Sequence, residues 1–424
     1  MRDPIRLRVA ALVDLPRSRV SGGHIKGWEQ LVRAAAQSDL PLDLTLYTSG
    51  ERLVEELGPH ARIKQLPPVF STQRLKFLPY VPDNTDLASF HEDLAVELRD
   101  MDVIHTTDGY FCFAKTAEKI SKKYKIPLTT SFHTDTPSYA RVFTQLTIEK
   151  IFGSGFLSRF LMKTMRLPER QEQAKLRRMK KHLKACSKAL YTRDEDRALA
   201  ASVIGEDNVR MMRLGVNRSL VGPHREDREG VEADYHIPPG QIVFIFVGRL
   251  DVGKNIYTLI EAMENLISEG QPVHLITAGL GPAEEDLRQR LGAHVTVAGF
   301  IDPNELARLY ASVDCLALTS EVEIRSMAAV EAITSGLPVL VSEKSGIARL
   351  FDYTPAMVTV PSGTEAWTAA MRDFISSINK RAHMHKVALA YAETSIANWT
   401  EVLARDLFDT WKLATEKKSK TPAP

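Results

Sequence analysis

Thr319-Ser320-Glu321-Val322-Glu323-Ile324-Arg325-Ser326-Met327-Ala328-Ala329-Val330-Glu331-Ala332-Ile333-Thr334-Ser335-Gly336-Leu337-Pro338-Val339-Leu340 is the stretch from which the fold of this 424-residue chain is read. The apolar run 315–318 before it reads as a buried strand. Ser320 and Glu321 carry helix-start chemistry, and Met327, Val330 and Ile333 recur at helical spacing. Gly336 stops that helix, and Pro338 cannot continue it. The run 339–341 begins another strand. Strand, turn, helix and strand make the repeating unit of a parallel sheet. Ligands of such sheets bind at the carboxyl ends of strands. Glu323 falls in the strand-to-helix turn and Glu331 inside the helix, so both acids lie toward the ligand side. Either one alone would pass for a solvated glutamate, favoured near a helix start by roughly 0.3–1 kcal/mol.

The pattern repeats upstream. A buried strand over 241–247 ends in Gly248-Arg249-Leu250-Asp251-Val252-Gly253-Lys254-Asn255. Ile256, Leu259, Ile260, Met263 and Leu266 then define one helical face. Arg249 and Lys254 are thus two cations in one strand-to-helix turn. A strand over 273–278 runs into Gly279-Leu280-Gly281-Pro282, and one over 295–298 into Gly299-Phe300-Ile301. Later, strand 357–360, helix 366–378 and an amphipathic helix over 396–413 follow.

The first half has the same grammar. A strand over 6–15 leads to Gly22-Gly23 and a helix with Trp28, Leu31, Val32 and Ala35 on one face. A strand, a glycine pair and a helix N-terminus can cradle a phosphate, because backbone N–H groups approach it closely. Further strands are expected at 42–47, 61–66, 102–105, 127–132, 189–192 and 209–214. Helices are expected at 87–98, 110–124 and 194–203, and a loop at 74–84. His133 stands at the carboxyl end of the 127–132 strand, and His105 at that of 102–105. Asp194-Glu195-Asp196 reads as helix N-terminal acids, which the macrodipole favours, and not as a metal site. The polar run 221–240, with Pro223, Pro238, Pro239 and Gly240, reads as a linker.

Length and composition bound these readings. Two or three domains are expected at this length. A hydrophobic content of 44% and a charged content of 25% are those of a globular protein. The net charge of +2 gives no global argument for nucleic acid. Three scattered cysteines suggest neither a metal site nor a disulfide framework, which suits a reducing cytoplasm. The apolar runs are too short for a signal sequence or a membrane span. Charge is nonetheless segregated. Between 152 and 188, Arg159, Lys163, Arg166, Arg170, Lys175, Arg177, Arg178, Lys180, Lys181, Lys184 and Lys188 are opposed only by Glu169 and Glu172. Phe156, Leu157, Phe160, Leu161 and Met165 supply an apolar face. A basic amphipathic stretch reads as a contact with an anionic membrane surface; a solvated helix or an anionic-saccharide site are the alternatives. Stacking aromatics are not interleaved with these bases, which argues against nucleic acid.

Taken together, the motifs resemble retaining glycosyltransferases of family 4. The opening stretch is similar to their E-x7-E element and the S/A-G-x-P-V signature after it. Ile324-Arg325-Ser326 stands where the family usually has Gly-Phe-Gly. Arg249 and Lys254 match the G-R-L-x-x-x-K element, with Asn255 in place of a frequent glycine. Gly279-Leu280-Gly281-Pro282 matches G-x-G-P, and Ser131-Phe132-His133 a segment whose histidine faces the donor sugar. The resemblance implies a GT-B fold: α/β, two doubly wound Rossmann-like domains facing each other across a cleft. It implies an acceptor-side domain over 1–220, a linker over 221–240 and a nucleotide-sugar domain over 241–394. A C-terminal helix over 395–416 would cross back to the first domain, and a disordered tail would occupy 417–424.

The implied activity is transfer of a sugar, with retention and without a metal or cofactor, from a UDP or GDP sugar to a membrane lipid or saccharide. Arg249, Lys254, Glu323 and His133 would be catalytic. Gly22, Gly23, Gly248, Arg249, Lys254, Gly279, Gly281, Phe300, Ile301 and Glu331 would hold the donor, Glu331 at the ribose diol and Phe300-Ile301 at the base. The expected location is peripheral, on the cytoplasmic face of a membrane. A membrane-bound scaffold without turnover, and another GT-B enzyme such as a sugar-nucleotide epimerase, are the alternatives.

Overall fold

A computed structural model describes residues 6–17, 23–72, 86–153, 155–321, 323, 326–351 and 353–419. Gly22 and the expected loop 74–84 lie outside the described residues. The chain divides into two compact units. Unit 1 comprises Met1–Arg213 and Trp399–Pro424, and unit 2 comprises Leu214–Asn398.

Unit 1 has an eight-stranded sheet built from β1 (Leu7–Pro16), β2 (Leu42–Ser49), β3 (Leu53–Gly58), β4 (Ala61–Leu66), β5 (Val103–Thr106), β6 (Leu128–Ser131), β7 (Lys188–Tyr191) and β8 (Val209–Met211). Their order is β3-β4-β2-β1-β5-β6-β7-β8. All neighbours run parallel except β3, which pairs antiparallel with β4 at the edge. The sequence reading did not include β3. Leu53 and Val54 are exposed and no apolar alternation marks the strand, so hairpin pairing alone accounts for it. The chain re-enters unit 1 at Trp399 and ends in a helical segment closing with Asp409–Ser419. Asp406 of this segment accepts Arg213 N at 2.9 Å and Arg213 Nη2 at 2.9 Å. The helix runs through Ser419, past residue 416, where the tail was expected to begin.

Unit 2 begins with β9 (Gly215–Val216). Its main sheet contains β10 (Ile242–Val247), β11 (Val273–Ala278), β12 (Val295–Gly299), β13 (Cys315–Leu318), β14 (Val339–Ser342) and β15 (Met357–Val360), and β16 (Ala397–Asn398) pairs with β9. The main sheet is wholly parallel, in the order β12-β11-β10-β13-β14-β15. Both faces are buried, which is why its strands are apolar almost without interruption. Val243, Ile245, Leu316 and Val339 enter one core with the helices Pro303–Ser312 and Met327–Thr334. Phe244, Phe246, Cys315 and Leu340 enter the other with Ile256–Ser268 and Thr364–Ser376. Each large side chain buried there contributes about 1.5–3 kcal/mol.

Two expectations are corrected here. Residues 221–240 are not a free linker: Val221, Val231 and Ile237 belong to the core of unit 2, and Arg228–Asp234 is a helix. Arg228 fixes it, donating to Asp314 Oδ2 at 2.9 Å and to Gln241 O at 2.7 Å. The helix after β13 starts at Met327, not at Ser320. Its cap is Ser326, whose Oγ accepts Ala329 N at 3.2 Å.

Candidate functional site

In unit 2 the chain leaves β10 toward β11 on one side of the sheet, and leaves β13 toward β14 on the other. Such a reversal opens a crevice at the carboxyl ends of the two strands. The loop 248–255 meets Thr319 and Glu323 there. Asp251 caps this loop: its carboxylate accepts Lys254 N at 3.0 Å and lies 3.2 Å from Arg249 Nη2. Thr319 Oγ1 donates to Lys254 O at 3.0 Å and ties the exit of β13 to it. Asn255 follows with φ of 53°, a left-handed position that asparagine tolerates. That is why it can stand where a glycine is frequent.

Across this junction Lys254 and Glu323 form a direct ion pair, each side chain 22% exposed. The sequence reading assigned the two to separate motifs, and the fold brings them together. Gly346 N donates to Glu323 O at 2.8 Å and anchors the turn from behind. Glu321 instead pairs outward, with Lys344 at 3.1 Å and Ser362 Oγ at 2.6 Å. Arg249 remains largely exposed, at 59%.

The neighbouring strand ends complete a rim. Gly248 N donates to Ala278 O at 3.0 Å, Leu250 N to Leu280 O at 3.0 Å, and Gly279 N to Gly299 O at 2.7 Å. A Cβ on Gly279 would lie 1.8 Å from Gly248 O, and one on Gly281 2.3 Å from Leu250 O. Both glycines are therefore required by the packing of backbone against backbone. Leu280 and Phe300 are 49% exposed beside them, with Ile301 partly buried.

Glu331 lies one helix turn inside Met327–Thr334. Burial pushes its pKa up to about 7, against the opposing pull of the Tyr310 hydroxyl. Tyr310 is fully buried, and Glu331 beside it raises its own pKa further. Tyr310, Asp251 and Thr319 were missed in the sequence. Only Asp251, three residues before Lys254, carried a readable capping signal.

Unit 1 places its histidines differently. His133 follows β6 and is partly buried. Its Nε2 is 2.7 Å from Ser131 Oγ, and its ring stacks on His24 with centroids 4.2 Å apart and planes 10° apart. Gly23 opens the helix Gly23–Ala36, which delivers His24 and Trp28 to this cluster. His105, ranked below His133, could have lined the same cleft from the end of the preceding strand. It is instead completely buried, bonded to Thr129 and Ser131, and its pKa is pushed down to about 3 by burial. Among the described residues no group of three or more His, Cys, Asp or Glu could hold a metal ion.

The basic segment is not one amphipathic helix. It forms Phe156–Arg159, a π-helical turn Phe160–Thr164, and Leu167–Leu183 after a left-handed Arg166 with φ of 49°. Three of its bases turn inward. Arg178 pairs with Glu118 at 2.7 Å, Lys175 sits over Tyr110 and Phe111, and Lys188 donates to Asp207 O at 2.9 Å. Arg159, Lys163, Arg166, Arg170, Arg177, Lys180, Lys181 and Lys184 stay exposed. Next to them Ile151, Phe152, Leu157 and Phe160 are exposed, and Phe156 is 81% exposed. No described helix is long and apolar enough to cross a membrane.

Residues 227–390 match the family model described as glycosyl transferases group 1. The chain is 27% identical over 248 residues to the sulfoquinovosyl transferase SQD2 of Arabidopsis thaliana, covering 58% of this chain and 43% of that protein. It is 29% identical over 209 residues to the GDP-mannose-dependent alpha-(1-6)-phosphatidylinositol dimannoside mannosyltransferase of Mycobacterium tuberculosis, covering 47% of this chain and 51% of the relative. The chain thus spans about half the length of the curated relatives it matches. Among solved structures, sucrose-phosphate synthase from Thermosynechococcus elongatus superposes with a TM-score of 0.70 at 18% identity, covering 98% of this chain and all of that one, 100%. Anabaena HepE in complex with UDP gives 0.62 at 14% identity, covering 98% of this chain and 100% of that one. These likenesses establish the two-unit GT-B fold.

Proposed function

We propose that this chain, whose residues 227–390 match the model of glycosyl transferases group 1, moves a hexose from a UDP or GDP sugar to an acceptor hydroxyl with retention, as family 4 enzymes do. The observation that carries the proposal is the Lys254–Glu323 pair at the switch point of unit 2. The donor diphosphate replaces Glu323 as the partner of Lys254, and the sugar hydroxyls replace Lys254 as the partners of Glu323. One ion pair is thereby exchanged for two sets of donor contacts.

The reaction breaks the bond from the anomeric carbon to the phosphate oxygen and forms one to the acceptor oxygen. The acceptor proton passes to the departing phosphate. The transition state is oxocarbenium-like, and negative charge grows on the diphosphate. Arg249 and Lys254 offset that charge, so we assign no metal to the step. Glu331 accepts the ribose diol. Gly248, Gly279 and Gly281 let backbone approach the phosphates, and Phe300, Ile301 and Leu280 flank the base. His133 is assigned to the sugar, and Gly22 and Gly23 to the phosphates.

We further propose that the acceptor is presented at an anionic membrane surface, which would make the protein peripheral on the cytoplasmic face. Exposed Phe156, Leu157 and Phe160 beside eight exposed bases support this. Thermal-shift titration with UDP, GDP and their sugars tests the donor assignment. A ligand at a hundredfold its Kd stabilises by about 2.7 kcal/mol, so one nucleotide series should raise Tm by several degrees. No shift with any of them would refute the assignment.

A further inference from the structure

The hydrogen bonds behind His133 have a direction, and that direction decides which ring nitrogen holds its proton. Trp411, fully buried in the helix Asp409–Ser419, places Nε1 3.3 Å from His105 Nδ1. An indole N–H can only donate, so His105 Nδ1 accepts. His105 is completely buried, and burial alone keeps it neutral. Its one proton therefore sits on Nε2, 2.9 Å from Ser131 Oγ. Ser131 accepts there, and its own hydroxyl proton goes to His133 Nε2 at 2.7 Å.

A second buried indole agrees: Trp28 Nε1 lies 3.5 Å from the same His133 Nε2. Reversing the chain would aim both indole N–H groups at ring N–H groups. Each buried donor left unsatisfied costs about 1–3 kcal/mol. Thr129 Oγ1, 2.8 Å from His105 Nδ1, then turns its hydroxyl proton to that nitrogen and gives up its longer contact, 3.4 Å, with Ile104 O. The two tryptophans therefore decide it. His24, stacked on His133, holds the plane of the ring.

We propose that Trp411, His105 and Ser131 are positioning residues that fix His133 as its Nδ1–H tautomer, so that it donates a hydrogen bond to a sugar hydroxyl oxygen and does not act as a base. This rests on the assignment of His133 to the transferred sugar. It also gives the returning C-terminal segment a task beyond covering the sheet of unit 1. Free imidazole prefers its proton on the nitrogen remote from the chain, so the relay works against the intrinsic preference.

Long-range proton–nitrogen NMR on the full chain, with labelled histidine, reads the tautomer directly. The His133 signals are those lost in His133→Asn. The wild type should show a protonated Nδ1 and a lone-pair Nε2. Ser131→Ala should convert this to a mixture with Nε2 protonated and lower kcat about tenfold, the loss of one hydrogen bond. Nucleotide Kd should stay within twofold. Trp411→Phe should weaken the preference in the same direction. A wild-type His133 protonated on Nε2, or a tautomer unchanged by Ser131→Ala, would overturn the relay. If the tautomer is as stated but His133→Asn turns over normally, the relay stands and the assignment of His133 to the sugar fails.

Discussion

Glu331 is a partly buried acid whose role depends on its charge. Its pKa of about 7 in the folded protein, above the ordinary carboxylate value, is caused by burial. A raised carboxyl pKa means that the contribution of this group to stability is greatest at acid pH and declines as pH rises from the unfolded value toward 7, because the unfolded chain ionises first. Donor binding should show the opposite trend. A ribose diol donates to a carboxylate, so the ionised form binds better. We expect the donor KM to fall as pH rises through 7, by up to about tenfold per unit below the pKa. Glu331→Gln should flatten that limb in initial-rate measurements between pH 6 and 8 and leave kcat less affected, since the ribose contact is made in ground and transition states alike. A KM limb that persists in Glu331→Gln would assign it to another group.

At the scale of elements, the parallel sheet of unit 2 was legible because burial on both faces writes itself as unbroken apolar runs. The switch-point loops were legible because glycines and charges punctuate them. Other elements were not. Ser320 and Ser326 both precede the apolar spacing of Met327, Val330 and Ile333, and only the folded loop shows that Ser326 is the cap. The helix Thr136–Phe152 was not foreseen, because Ile148 alone is buried in it and no apolar stripe announces it. Its signal was Asp135 before Pro137, with Asp135 Oδ1 accepting Ser138 N at 3.1 Å. Which bases of 159–188 reach solvent was also invisible, since Lys175, Arg178 and Lys188 turn inward to partners far apart in sequence. The revised surface gives a sharper expectation for this element. Co-sedimentation with vesicles containing phosphatidylserine should exceed that with neutral vesicles, and salt should release much of it. Changing Arg170, Arg177, Lys180 and Lys181 to Ser should remove about 1 kcal/mol of binding per base. Phe156→Ser should weaken the part that resists salt. Equal binding to neutral and anionic vesicles would exclude the proposed surface.

On the scale of the whole molecule, the two units divide the chain unevenly: unit 1 takes both termini, and unit 2 is one continuous stretch. The segment resembling family 4 most closely falls inside unit 2. There it places Lys254 against Glu323, a meeting that neither motif announces by itself. Each side chain is 22% exposed, and the loop is held through the backbone N and O of Lys254, which Asp251 and Thr319 engage, so breaking the pair should leave the unit folded. The kcat of Lys254→Ala at saturating donor, with folding first verified by circular dichroism, therefore tests the proposed chemistry most directly. If Lys254 only held ground-state phosphate, its loss would weaken donor affinity and spare kcat. If it stabilises the charge that grows on the leaving diphosphate, kcat should fall on the order of 10²–10³, and Lys254→Arg should restore little, because a planar fork replaces a compact charge. A folded Lys254→Ala protein with near-normal kcat would contradict the assignment.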